Sequence, residues 1–430
     1  MTSEAHDKEL LDLLERIFTE KKEQFVPGKT TVQYALAVYD HQEIYAALKS
    51  LLSGWFGIGK YASEFEKQFS EFLGTKNCVL TNSGSSANLL AVESLQLPKG
   101  VEAITPATTF PTTLNPLIQK GIKPVFMDIN PTTYNINASE LKDAFSEKAK
   151  LIMLPHTLGN PNEMDYIMDF AEDYDLYVIE DACDALGSQY GRKYVSTFGD
   201  IGTFSFYPAH HITMGEGGAI VTNNEELSLT ARSFRDWGRA CVCPVCTISL
   251  DPNAYCPLRF IETPLPDYDK RFTYINVGYN LKPLDLQAAI GLQQLQRLPG
   301  FIQKRKQNFG KLYNELSKFE DYLNLPESLP KADPCWFAFP ITVKENARFK
   351  RKDIVNFLEE HHIATRPLFA GNVLRQPAYR GIDCRVIGKL ENSDRVMTSS
   401  FFVGVHPGLT EDMLNYMVDT FEVFMREVKK

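Results

Sequence analysis

The stretch Thr203 to Gly218 reads TFSFYPAHHITMGEGG. A short apolar run ends in Ser205-Phe206-Tyr207, a tight polar segment follows, and the Gly-rich turn Gly215-Glu216-Gly217-Gly218 closes it. Glycines in that density mark a place where the backbone must turn sharply or approach another chain segment closely. His210 and His211 sit in the middle of the stretch. A lone histidine is most often a surface residue or a satisfied core residue, yet an imidazole also moves protons near neutral pH.

Upstream, the pattern repeats with one theme. Cys78-Val79-Leu80 opens into Thr81-Asn82-Ser83-Gly84-Ser85-Ser86-Ala87 and an apolar helix. Ala103-Ile104-Thr105 leads to Pro106-Ala107-Thr108-Thr109-Phe110, and Pro124 to Ile129 reads as another strand. Leu151 to Leu154 precedes His156-Thr157-Leu158-Gly159-Asn160-Pro161, and Leu176 to Ile179 precedes Glu180-Asp181-Ala182-Cys183. Near-continuous apolar strands separated by helices predict a mostly parallel sheet covered on both faces, an α/β fold. Polar residues just after the strand ends lie where such sheets bind ligands. The Gly/Ser turn before the helix offers free backbone N–H groups and a positive dipole end, which suit a phosphate. The same residues are also ordinary helix caps.

The bulk numbers set bounds. The chain has 430 residues, enough for a large sheet-centred domain and a smaller one. Hydrophobic residues make up 44% and charged residues 23%, the balance of a soluble globular protein. A net charge of -9 argues against a nucleic-acid binder, whose footprint is basic. The N-terminus is acidic and helix-patterned, with Leu10, Leu11, Leu14, Ile17 and Phe18 on one face, and lacks the basic start of a signal peptide. No apolar run approaches the ~18 residues of a membrane helix. Cytoplasmic location without membrane insertion is the expectation.

Beyond the central stretch, Ser53 to Gly74 predicts a Gly-rich turn and an amphipathic helix with Phe65, Phe69 and Phe72 inward. Leu284 to Leu298 reads as a long helix punctuated by Pro299 and resuming through Leu316. The expected organisation is an N-terminal helix and arm over 1–45, a large α/β domain over 46–300 and a small α+β domain over 301–430. A loop over about 238–266 holds Cys241, Cys243, Cys246 and Cys256. Such a crowd reads first as a metal or cluster site, and four thiolates alone also suit one structural zinc.

The stretch TFSFYPAHHITMGEGG resembles the cofactor segment of the DegT/DnrJ/EryC1/StrS family of sugar aminotransferases, whose fold is that of fold type I pyridoxal-phosphate enzymes. In that family the residue five after the serine is the lysine that anchors the cofactor; here it is His210. The substitution narrows the resemblance to the 3-dehydratase branch. HTLGNP, EDACDALGS and TRPLFAGNVLRQP are similar to the members acting on CDP-4-keto-6-deoxyglucose in 3,6-dideoxyhexose and lipopolysaccharide biosynthesis. The resemblance implies non-covalently held pyridoxamine or pyridoxal phosphate, with His210 as proton shuttle and His211 as the alternative base. Asp181 pairs with the pyridine nitrogen, whose protonation makes the ring an electron sink. Phe110 stacks on the ring, while Gly84, Ser85 and Ser205 contact the phosphate. Asn280 reaches the phosphate from a neighbouring subunit, so a homodimer is implied.

The same branch implies a [2Fe–2S] cluster fed by a flavin-dependent partner reductase. Cys183, Cys241 and Cys243 match three ligands in order and spacing. The fourth is expected eight positions after Cys243, which is Asp251; Cys256, thirteen after, is favoured, with Cys246 as the alternative. For the nucleotide-sugar substrate, Arg366, Asn372 and Arg375 are the implied contacts. An aminotransferase using another lysine, a cluster-free glutamate-dependent dehydratase and a non-catalytic metal-binding scaffold are the competing readings.

Overall fold

In the computed structural model, residues 3–20, 24–244, 246–251, 253–261 and 264–429 are described. Two compact units emerge. One comprises Met1–Glu23, Val38–Gln96 and Asp200–Arg297; the other comprises Gln24–Ala37, Leu97–Gly199 and Leu298–Lys430.

The first unit is built on three antiparallel strands. Gly218–Thr222 lies between Asn77–Thr81 and Ile201–Ser205, with Ala219 opposite both Leu80 and Phe204. The helix Lys60–Leu73 stops at Gly74, whose left-handed backbone (φ 74°) sends its N–H back to the last turn. At the other end Asp285 serves as a remote cap, accepting from Gly59 N (2.9 Å) and Ala62 N (2.8 Å). Phe65 and Phe69 are inward as expected and meet Phe204 and Phe206 at ring separations of 5.1–5.4 Å. Phe72 is only half-buried, and Leu73 takes the inward place. The helix period of 3.6 carries the buried stripe from Phe69 to Leu73, past Phe72. The helix Ser3–Glu20 leaves the predicted apolar face half-buried and exposes Leu13.

The second unit carries the parallel sheet. Its strands run in the order Tyr177–Asp181, Ala149–Pro155, Glu102–Pro106, Lys123–Met127 and Arg385–Val386, every pair parallel. Ile104, Val125, Ile152 and Val178 are fully buried, as near-continuous apolar strands require. A small antiparallel sheet joins Leu323–Asn324, Ala338–Val343 and Ser400–Gly404. The helices Arg351–Glu360 and Glu411–Lys429 belong to the same C-terminal part. The helix Asp285–Leu316 is continuous through Pro299, where the sequence suggested a break. One proline removes one backbone bond, and a helix of 32 residues retains the rest.

Candidate functional site

The central stretch folds into a loop closed on itself. Phe206 N donates to Gly217 O (2.9 Å) and Met214 N to Phe206 O (2.9 Å). Thr213 ties the loop to the long helix through Gln294 (3.2 Å). Between these ties His210 N donates to Tyr207 O (2.9 Å), and the half-buried His210 ring stands 6.2 Å from the Tyr207 ring in an edge arrangement. His211 is 2% exposed, so the two histidines are presented very differently. Ser205 is buried at the strand end, its hydroxyl accepting from Tyr207 N at 3.4 Å.

Beside this loop lies the Gly/Ser turn. Ser83 caps the helix Gly84–Ser94 by accepting from Ser86 N (3.1 Å), and Thr81 donates to Ser83 O (2.8 Å). Gly84 is buried and Ser85 exposed at the first helical turn, where backbone N–H groups face outward. The GEGG turn is what lets the strand approach. A Cβ on Gly218 would stand 2.4 Å from the Ser83 carbonyl and 2.6 Å from Gly84 N. Gly218→Ala is therefore expected to displace the Ser83–Ser85 turn, costing about 1–3 kcal/mol of stability. Thermal melts with and without pyridoxal phosphate check this; a variant with wild-type melting and cofactor response contradicts it.

Asn280 is exposed, accepts from the Lys282 amine (2.7 Å) and bridges backbone-to-backbone with Asp236. Lys282 sits 3.1 Å above the Trp237 ring centre, and burial brings its amine down to about 8. The loop cysteines Cys241, Cys243, Cys246 and Cys256 are all half-buried. Burial, then Cys243, Cys246 and Cys256 in turn, push the Cys241 thiol up to about 11. Positions 245, 252, 262 and 263 of this loop lie outside the described residues. Asp251 follows the short helix Thr247–Leu250 and accepts from Asn253 N (2.9 Å). Among the described residues, no three His, Cys, Asp or Glu side chains are drawn together as a ready metal site. The donor set nevertheless suits a soft metal or cluster, since thiolates are its preferred ligands.

In the second unit, Asp181 ends its strand 5% exposed. Its Oδ2 accepts from the Thr113 hydroxyl (2.7 Å), its Oδ1 from Cys183 N (3.0 Å) and its carbonyl from His156 N (2.9 Å). Glu180, next to it, is clamped by Ser196 N (2.7 Å), Phe198 N (2.8 Å) and Gly199 N (2.7 Å) and lies 3.0 Å from His156 Nε2. With Asn162 N donating to His156 Nδ1 (3.1 Å), the imidazole presents Nε2–H to Glu180. A buried carboxylate beside a backbone this firmly held fits the partner of a protonated ring nitrogen. Phe110 is 49% exposed just before the helix Pro111–Gln119, which separates it from an ordinary core phenylalanine. Burial, and next Asp181, push the half-buried Cys183 thiol well up.

The C-terminal candidates divide. Arg375 holds Asp394 with two parallel bonds (2.8 and 2.7 Å) and is exposed. Asn372 is fully buried; its amide donates to the same Asp394 (2.8 Å) and its oxygen accepts from Leu374 N (3.1 Å). Both thus shape the turn of Val373–Arg375. Arg366 lies 4.3 Å from the Tyr34 ring centre, stacked and partly exposed. Sequence reasoning missed Thr113 and the Glu180–His156 pair. The signal for Thr113 was a hydroxyl one turn after Phe110-Pro111, too common to single out.

The fold is that of the pyridoxal-phosphate-dependent enzymes of the aminotransferase type, as matching solved structures with this cofactor bound show. The solved structure of Escherichia coli GDP-4-keto-6-deoxy-D-mannose-3-dehydratase with bound hydrated pyridoxal phosphate matches at TM-score 0.80 and 31% identity, covering 91% of this chain and 99% of that one. The chain belongs to the DegT/DnrJ/EryC1/StrS aminotransferase family, whose sequence profile matches residues 38–422. It is 47% identical over 412 residues to the lipopolysaccharide biosynthesis protein RfbH of Salmonella typhimurium, covering 93% of each chain. It is 42% identical over 438 residues to the dTDP-4-dehydro-2,6-dideoxy-D-glucose 3-dehydratase of Saccharopolyspora spinosa, covering 99% of this chain and 93% of the relative. Among the described residues, no helix is long and apolar enough to cross a membrane.

Proposed function

We propose that the protein catalyses C3 dehydration of a nucleotide-linked 4-keto-6-deoxyhexose, with CDP-4-keto-6-deoxy-D-glucose as the substrate, for 3,6-dideoxyhexose and lipopolysaccharide biosynthesis. The observation that carries this reading is His210, a half-buried imidazole in the closed loop where the family's anchoring lysine stands. Relatives named as nucleotide-sugar 3-dehydratases support it. Bound pyridoxamine phosphate would supply an amine for the 4-keto group and a ring that accepts electrons. His210 takes a proton from carbon and returns one to the departing C3 hydroxyl, the acid–base work an imidazole performs. Asp181 keeps the ring nitrogen protonated, Phe110 stacks on the ring, and Gly84, Ser85 and Ser205 hold the phosphate. Asn280, exposed in one protomer, serves its partner's phosphate in a homodimer. Arg366 and Arg375 bind the diphosphate, with Asn372 shaping the turn that carries Arg375.

Cys183, Cys241, Cys243 and Cys256, with Cys246 as the alternative fourth, are assigned as ligands of a [2Fe–2S] cluster. Held there, such a cluster would relay electrons from a flavin-dependent reductase. Iron and sulfide in protein purified without oxygen, lost in Cys256→Ser and kept in Cys246→Ser, are the expected findings. Zinc without sulfide would favour the four loop thiols as a structural site instead. Absence of both metals would favour the cluster-free, glutamate-dependent reaction.

The deciding experiment is a panel of CDP-, dTDP- and GDP-linked 4-keto-6-deoxyhexoses with pyridoxamine phosphate in heavy-oxygen water. Oxygen exchange at C3, fastest with the CDP sugar, is expected. No exchange with any nucleotide overturns the enzyme reading. A lysine adduct after borohydride reduction with pyridoxal phosphate would identify an aminotransferase.

A further inference from the structure

Thr113 lies in the first turn of the helix Pro111–Gln119, 1% exposed, with its backbone N–H bonded to Phe110 O at 3.1 Å. Its hydroxyl crosses 68 residues of sequence to donate to Asp181 Oδ2 at 2.7 Å. The other carboxylate oxygen accepts from the Cys183 backbone N–H at 3.0 Å. A carboxylate gripped at both oxygens has its plane set, and of these two grips only Thr113 is a side chain. A threonine in a helix takes chiefly two χ1 rotamers, so this hydroxyl has few directions open to it. The same turn begins at Phe110, which heads the helix without a side-chain cap of its own. One bond therefore ties the aromatic-bearing turn to the carboxylate.

We infer that Thr113 is a positioning residue: its hydroxyl orients the Asp181 carboxylate toward the ring nitrogen of the bound cofactor and holds Phe110 in register with it. This rests on the cofactor reading given above. The group it acts on touches the cofactor; Thr113 acts only through Asp181 and the helix turn. A hydroxyl that served only to satisfy a buried carboxylate would affect folding and leave the bound ring's environment unchanged.

The test uses the full chain and pyridoxal phosphate as the probe. Wild type, Thr113→Val, Thr113→Ala and Thr113→Ser are compared by binding titration, by the induced circular dichroism of the bound ring, and by melting without cofactor. Valine keeps the branched shape and removes the hydrogen bond to a charged group, so affinity is expected to fall about tenfold or more. The dichroic signal is expected to change in the same variant. Serine restores both to within about twofold of wild type, because it restores the donor. Alanine, which cannot clash, reads the same loss should valine impair folding. Wild-type affinity and dichroism in the valine or alanine variant overturns the proposal, as does a loss confined to melting temperature. Failure of the wild type itself to bind pyridoxal phosphate would instead remove the cofactor reading on which the proposal stands.

Discussion

His210→Gln is expected to slow C3 oxygen exchange ~10²–10⁴-fold, the range that a positioned general acid or base contributes. Glutamine keeps a side chain of comparable reach and the backbone bond from His210 N to Tyr207 O, so the closed loop should survive. Affinity for pyridoxamine phosphate should stay within about twofold, because the phosphate and ring contacts lie on other residues. His211→Gln is the control. That side chain is 2% exposed, and its replacement should act on stability first. Single-turnover exchange in both variants separates the two histidines; full activity in His210→Gln with loss in His211→Gln would exchange their roles.

The second large effect concerns folding. Glu66 is 8% exposed and serves two buried arginines at once. Arg232 Nη2 donates to Oε2 (2.8 Å), while Arg235 Nη1 and Arg232 Nη1 approach Oε1 (both 3.3 Å). Leu80 N also donates to Oε1 (2.8 Å), and the guanidiniums reach Cys78 O (2.7 Å) and Leu80 O (3.0 Å). The group thus locks the helix Lys60–Leu73 and the helix Glu225–Arg235 onto the strand leading into the Gly/Ser turn. Glu66→Ala takes the carboxylate from buried Arg232 and leaves Arg235 with Asp236, which it holds through two bonds (2.8 and 3.1 Å), and a loss of about 3–5 kcal/mol is expected in denaturant unfolding. Paired replacement of Glu66 and Arg232 by methionine should recover part of it, since an apolar pair avoids the desolvation cost. A loss below about 1 kcal/mol in Glu66→Ala would show that the cluster contributes little.

Much of the fold was readable where the signal is local. The apolar run Leu151–Leu154 and the pair Val178–Ile179 became buried parts of parallel strands, and the polar residues followed their ends. Ser83 caps its helix as a serine there should. Errors came where one residue had to be weighed against its neighbours. Phe72 looked as inward as Phe69, but the helix turns it half out. Pro299 looked like a break, yet the remaining bonds carry the helix through. Asn372 and Arg375 are a different case: each bonds Asp394, nineteen or more residues away, a pairing that no local motif announces.

The chemistry proposed for the chain therefore rests on short motifs: an imidazole in place of an amine, an Asp after an apolar strand, and cysteines crowded in one loop. Those are matters of residue type and order, which need no folding to be seen. Long-range packing alone could reveal that Gly218 must lack a side chain because the Ser83 carbonyl lies against it. The same holds for Thr113, which grips Asp181, and for Glu66, which answers two arginines more than a hundred and sixty residues away. Such pairings depend on which surfaces meet when apolar faces are buried, and sequence separation places no local signal on them. His210 is thus a residue identified by its position in a motif, while its half-buried setting and the tied loop that holds it come from the folded chain.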